Sequence, residues 1–181
     1  MYIWLHNIRS AHNVGTILRT VDALGDSQVV LSGYTPKLED KYGLPNNKLL
    51  KVSLGAEESV PVFEFDTIEN FIDFLITQNT SENQFLGLGN LESKVHFCKS
   101  KFGYQFVSLE LNDQSINYFD YTPKNLEKLI LIMGNEVTGV EQSLLDLSDQ
   151  VLQIPMSGVK ESLNVAVSLA IVSFYLRDTK K

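Results

Sequence analysis

A single cysteine in 181 residues, Cys98, leaves no partner for an internal disulfide and points to a reducing compartment. The sequon at Asn79-Thr80-Ser81 then carries no weight, because such a chain does not meet the glycosylation machinery. The opening MYIWLHNIRS lacks the basic start, long apolar run and small-residue cleavage site of a secretory signal. The longest apolar stretch, Leu163 to Leu176, is too short for a bilayer and contains Asn164, Ser168 and Ser173. A soluble, cytoplasmic protein with no membrane association is the expectation. His6, His12, His96 and Cys98 show no metal-ligand spacing, so no metal is expected. There is no P-loop and no Gly-x-Ser-x-Gly elbow. GLGNLE at 87–92 matches only part of a dinucleotide fingerprint, since Glu92 replaces the third small residue and no clear helix follows. Positive charge is also scarce: 15 basic against 22 acidic residues give a net charge of −7. That counts against a broad non-specific nucleic-acid binder and leaves room only for a local basic patch.

Hydrophobic residues make up 44% of the chain, with no repeat, low-complexity tract or linker, so one domain over 1–181 is expected. Tyr2 to Leu5 reads as a strand. Ser10 is placed to cap a helix in which Val14, Ile17, Leu18, Val21 and Leu24 recur at helical spacing and Gly25 ends the run. Gln28 to Ser32 reads as a buried strand, and residues 33–59 as mostly irregular, with Pro36, Gly43, Pro45 and Gly55 as breakers. Val60 to Phe65 is a strand candidate, followed by a helix near Thr67 to Thr77. Gln84 to Leu88, Gln105 to Leu111, Leu129 to Met133 and Gln150 to Ile154 are further strands, with Leu129 to Met133 apolar enough for burial on both faces. Ser162 to Arg177 reads as a helix apolar almost all round and therefore packed on several sides. The alternation implies an α/β fold with a largely parallel sheet flanked by helices.

Ligands of open parallel sheets bind beyond the carboxyl ends of the strands. Three segments carry polar residues there. Asn7 to Thr20 holds Asn7, Arg9, Asn13, Gly15 and Arg19 around a helix start, an arrangement that suits a phosphate, although capping and a solvated face explain the same residues. GNEVTG at 134–139 offers Gly134 for close approach and Glu136 as a carboxylate, or a plain strand-to-helix turn. IPMSGVKESLN at 154–164 takes an irregular path through Pro155 and Gly158; Ser162 alone is a good cap, whereas Asn164, opening a buried helix, needs a hydrogen-bond partner.

In this order, NIRSAHNVGTILRTVDALG (7–25), LILIMGNEVTGV (129–140) and IPMSGVKESLNVAVSLAI (154–171) resemble the three motifs of the SpoU (TrmH-like) branch of the SPOUT RNA methyltransferases. VSLELNDQSINYFDY (107–121) and LGAEESVP (54–61) are similar to family sequences as well, so the likeness covers most of the chain. The resemblance implies a C-terminal deep trefoil knot, a homodimer with the first and last helices near its interface, and S-adenosylmethionine bent into the knotted loops. It implies transfer of a methyl group to a ribose 2′-hydroxyl in structured RNA, tRNA or rRNA, with tRNA slightly preferred. Carried over residue by residue, it makes Leu109, Glu110, Gly134, Ile154, Met156 and Leu163 cofactor contacts, and Asn13, Arg19, Glu136, Ser162 and Asn164 catalytic. Arginine, with a pKa above ~12, is a poor base, so Arg19 is better suited to bind phosphate and stabilise the developing oxyanion.

The chain departs from the pattern in beginning at the first motif and ending soon after the last helix, with no separate RNA-binding domain, while 79–103 looks like an insertion. RNA selection then falls to the catalytic domain or to a partner. Arg9 and Arg19 are the candidate RNA contacts near the motifs. Lys37, Lys41, Lys48 and Lys51, interleaved with Tyr34 and Tyr42, form the candidate patch for phosphates and bases, or an ordinary solvated loop. Two other classes of reading stand beside this one. A non-catalytic module binding RNA or cofactor would have no need of Asn13, Arg19, Glu136 and Asn164 together, and an unrelated nucleotide-binding α/β enzyme would show a Gly-rich phosphate loop.

Overall fold

The computed structural model describes residues 1–80, 89–159 and 162–179. Its strands are β1 (Tyr2–His6), β2 (Gln28–Ser32), β3 (Val62–Phe65), β4 (Gln105–Leu109), β5 (Ile116–Asn117), β6 (Leu129–Met133) and β7 (Gln150–Gln153). Among the described residues they form one parallel sheet in the order β3-β2-β1-β6-β4-β7-β5. β6, LILIM, lies at its centre with all five residues buried, as a run without polar alternation demands.

Alternate strand residues feed two cores, because successive side chains point to opposite faces. Ile3, Leu5, Leu31, Val107, Leu131 and Met133 face α1 (Ala11–Leu24) and α7 (Val165–Asp178). Trp4, Val30, Phe106, Ile130 and Ile132 face α4 (Ile68–Asn79) and α5 (Leu91–Phe102). Ser10 caps α1 by accepting from the Asn13 N–H, and Gly25 closes it at φ 86°.

Four differences from the sequence reading have physical causes. Residues 33–59 are mostly irregular but hold two short helices the sequence reading did not name, α2 (Asn47–Ser53) and α3 (Ala56–Ser59). α2 lies against α1 at Gly15, where a Cβ would stand 2.7 Å from the Leu49 carbonyl oxygen, so that glycine serves helix packing. Two turns of helix are too short to show a period. Second, a helix does follow GLGNLE, since Asn90 caps α5 by accepting from the Ser93 N–H. Its inward face carries Lys94 beside Val95 and Cys98, and the Lys94 amine meets Glu69 and Asp73 of α4 at 2.7 and 2.8 Å. A lysine on the inner face breaks the apolar pattern. Third, α7 starts at Val165 with Asn164 as its cap, not at Ser162. Finally, α7 packs on the sheet core, on α1 and through Tyr175 on Tyr118, yet part of it stays open, with Val167 48% exposed and Ile171 and Phe174 half-buried. The strand expected at 84–88 lies outside the described residues. α6 (Gln142–Leu147) and the two-residue β5 were not anticipated.

Among the described residues, no helix is long and apolar enough to cross a membrane.

Candidate functional site

The carboxyl ends of β4, β6 and β7 and the start of α7 enclose a cavity of about 360 Å³. It sits beside the strand where the sheet order reverses, since β1 leads outward to β2 and β3 while β6 is flanked by β1 and β4. Leu109, Glu110, Gly134, Ile154, Met156 and Leu163 all line it, as do Asn13, Glu136, Ser162 and Asn164. Three stretches far apart in sequence therefore supply one wall each.

A chain of side-chain hydrogen bonds ties these walls together, and its polarity follows from one end. The Asn164 carbonyl oxygen accepts from the Ala166 N–H at 2.9 Å, and a backbone N–H can only donate. The Asn164 amide nitrogen must then face Asn13, where it donates to Oδ1 at 3.1 Å. Asn13 is left with its own amide nitrogen, which donates to Glu136 Oε1 at 2.8 Å. Glu136 also accepts from the Arg9 N–H at 2.8 Å and the Ser10 N–H at 3.1 Å, so it must be a carboxylate. Burial pushes its carboxyl upward, but the bonds from the Arg9 N–H, the Asn13 amide, its own backbone N–H and the Ser10 N–H outweigh that and hold it below its ordinary value. The partner that Asn164 required is thus found twice over, in the helix it caps and in Asn13.

The loop after β6 is built by close approach. A Cβ on Gly134 would stand 2.4 Å from the backbone of Gly139. Gly139 has φ 76°, and a Cβ there would meet a Glu110 carboxylate oxygen at 2.2 Å. The Glu110 carboxylate accepts from the Val140 N–H at 2.7 Å and the Leu111 N–H at 2.9 Å, fastening the end of β4 to the β6 loop. Asn135, between Gly134 and Glu136, is saturated: its nitrogen donates to the Asn7 carbonyl (2.9 Å) and the Tyr34 hydroxyl (2.8 Å), and its oxygen accepts from the Val137 and Thr138 N–H groups. The sequence reading passed over Asn135. Its lone signal is a polar residue two positions after a fully buried strand.

The arginines and lysines are placed differently. Arg9 is exposed at the mouth, where Arg9, Ser10, Asn13 and Glu136 border a shallow depression. Arg19 is exposed and does not line the cavity. Six residues beyond Asn13, it is turned about 120° from it around α1 and about 9 Å along the axis. Lys37 pairs with Asp66 at 2.9 Å, and Lys41 lies over the Tyr42 ring at 5.0 Å. Lys48 and Lys51 are exposed on α2.

Other chemistry has little footing. Cys98 is buried and its thiol is pushed up to about 12, by burial first and then by Asp73, so it is no nucleophile. Among the described residues no group of three or more His, Cys, Asp or Glu is placed to hold a metal ion. His6 contacts Ser32 Oγ at 2.7 Å and Glu141 at 3.2 Å, and burial lowers its pKa although Glu141 opposes the shift.

Comparison with known proteins adds the family. The model of the SpoU rRNA methylase family matches residues 1–83 and 78–174. A tRNA (guanosine(18)-2′-O)-methyltransferase of Aquifex aeolicus is 28% identical over 177 residues, covering 96% of this chain and 67% of its own. A Borreliella burgdorferi protein of the same description is 38% identical over 172 residues, 95% of this chain and 63% of its own. The crystal structure of an AdoMet-bound rRNA methyltransferase from Sinorhizobium meliloti superposes with a TM-score of 0.73 at 26% identity, covering 98% of this chain and 56% of that one. The chain thus spans between about half and two thirds of the length of these relatives. With its three-walled cavity and a family model matched along nearly all of its length, the chain belongs to the SpoU rRNA methylase family.

Proposed function

We propose that this chain transfers a methyl group from S-adenosylmethionine to a ribose 2′-hydroxyl in structured RNA, tRNA or rRNA, as one domain acting in a homodimer. The observation that carries this reading is the Asn164–Asn13–Glu136 chain of hydrogen bonds across the mouth of the cavity. It joins one residue from each of the three motifs at the mouth, which supports reading that mouth as the point where a sugar hydroxyl would meet a bound donor.

The residues present fit the donor. A cavity of about 360 Å³ lies within the ~300–1,000 Å³ of small-molecule sites, and Leu109, Ile154, Met156 and Leu163 give apolar walls for a flat heterocycle. Gly134 leaves space that a Cβ would close. Main-chain groups of Ile154, Met156 and their neighbours would hold the adenine. When bound, the donor supplies an electrophilic sulfonium methyl.

The chain's own groups do the rest. Asn13, Ser162 and Asn164 orient the ribose hydroxyl for in-line approach. Glu136, already engaged by Arg9, Ser10 and Asn13, fixes the loop geometry. Arg19 binds the adjacent phosphate and stabilises the developing oxyanion as the hydroxyl proton passes to solvent water and the methyl leaves the sulfonium sulfur, which departs as a neutral thioether. Arg9, with Lys37 and Lys41 farther out, meets RNA phosphates.

The exposed position of Arg19 means that it reaches the slot only through bound RNA or across a contact between chains. The partly exposed face of α7 at Val167, Ile171 and Phe174 supports a second copy there. A C-terminal trefoil knot also agrees with the strand order, because β7 is inserted between the consecutive strands β4 and β5. Arg19→Ala is expected to abolish methyl transfer to RNA while calorimetry shows unchanged donor binding. Near-normal turnover by this variant would overturn the assignment.

A further inference from the structure

Tyr34 stands out among the aromatic residues: its ring is 61% exposed, yet both of its ends are fastened. Its backbone N–H donates to Asn7 Oδ1 at 3.2 Å, and its hydroxyl accepts from the Asn135 amide at 2.8 Å. Asn7 is itself held in the left-handed region at φ 58° and accepts at its carbonyl from the same Asn135 amide. Gly33, at φ 64°, has no room for a Cβ, which would meet Asn7 Oδ1 at 2.0 Å. A tie between loops needs only a polar group, which does not explain a rigid aromatic face turned to solvent. Asn135, which holds the Tyr34 hydroxyl, lines the cavity, so a single hydrogen bond separates the ring from the cavity wall.

We infer that Tyr34 is a stacking platform for an unpaired base of the RNA entering the slot. The inference rests on the RNA reading proposed above and extends it to how substrate is gripped. Stacking suits this position because it needs no sequence-specific contact, and a ring fixed beforehand loses little freedom on binding. The Arg9 guanidinium at the same mouth meets the phosphate beside the stacked base. An acidic chain gains grip on RNA from a ring without adding charge.

The test uses the full chain carrying Tyr34→Ala, Tyr34→Phe or Tyr34→Trp. Each is titrated with bulk tRNA at fixed salt without donor, then assayed for methyl transfer, with donor affinity measured separately. Y34A should bind tRNA about tenfold more weakly and raise KM for RNA in proportion, with donor affinity unchanged. Y34F should stay within about twofold of the parent. In Y34W the introduced indole should be quenched by tRNA, a readable signal because the one native tryptophan, Trp4, is fully buried. Unchanged tRNA affinity in Y34A, a loss in Y34F as large as in Y34A, or an unquenched indole would each overturn the platform. If the parent transfers no methyl group but Y34A still loses tRNA, the platform stands and the methyl-transfer reading falls; unaltered KM in an active Y34A gives the reverse.

Discussion

On one face of the sheet α1 and α7 press aliphatic residues against Ile3, Leu5, Leu131 and Met133; on the other, α4, through Phe71, and α5 close over Trp4, Phe106 and Tyr104. The second face is held by large rings in contact, with Trp4 and Phe71 edge to face at 4.7 Å. The first has smaller side chains, but both of its long helices begin at the cavity. Their caps, Ser10 and Asn164, therefore belong to the site, whereas Thr67, the cap of α4, stands beyond β3 at the far edge of the sheet. One face supplies bulk and the other supplies placement. Substitutions of similar physical severity should accordingly have different functional costs on the two faces.

The largest loss of stability belongs to the aromatic face. Phe71→Ala, at a fully buried ring, should cost about 3–5 kcal/mol in denaturant unfolding while the folded fraction keeps its donor affinity. Gly134→Ala comes next: the clash with the Gly139 backbone should cost about 3 kcal/mol and weaken donor binding at least tenfold by calorimetry. If donor affinity survives, the cavity beside Gly134 is not the donor site. The matched caps sharpen the contrast. Ser10→Ala and Thr67→Ala should each cost about 1 kcal/mol, but only Ser10→Ala should also lower methyl transfer, and equal activities would erase the distinction.

The smallest effect is one of pH. Glu136 has a folded-state pKa below its ordinary 4.5, so its contribution is present above that value and is lost as pH falls through the lower folded value. Glu136→Gln should therefore be less stable than the parent near neutrality, with the gap closing below about pH 4.5. A gap independent of pH would mean that the carboxylate's charge is not what Arg9, Ser10 and Asn13 recognise.

The same division explains what was readable in the sequence. α1, with five apolar residues at clean helical spacing, and β6, an unbroken apolar run, announce themselves because one period governs each. α5 did not, because the amine of Lys94 is neutralised by Glu69 and Asp73, partners found only once α4 packs alongside. At the site, every residue that the motifs proposed for the donor lines the cavity, together with Asn13, Glu136, Ser162 and Asn164. Three-dimensional relations were not readable: Arg19 shares a helix with Asn13, yet the turn of that helix carries it away from the cavity. Asn135 was obscure for a related reason, since its bond to Tyr34 joins residues 101 positions apart.

Among the described residues β5 pairs in the sheet only with β7, and β7 enters the sheet between strands made long before it. During synthesis that edge of the sheet stays unattached until residues 150–153 have left the ribosome. The cavity takes its third wall from the stretch that follows immediately. A polypeptide released early would lack both, so a stalled or truncated product would have no such pocket.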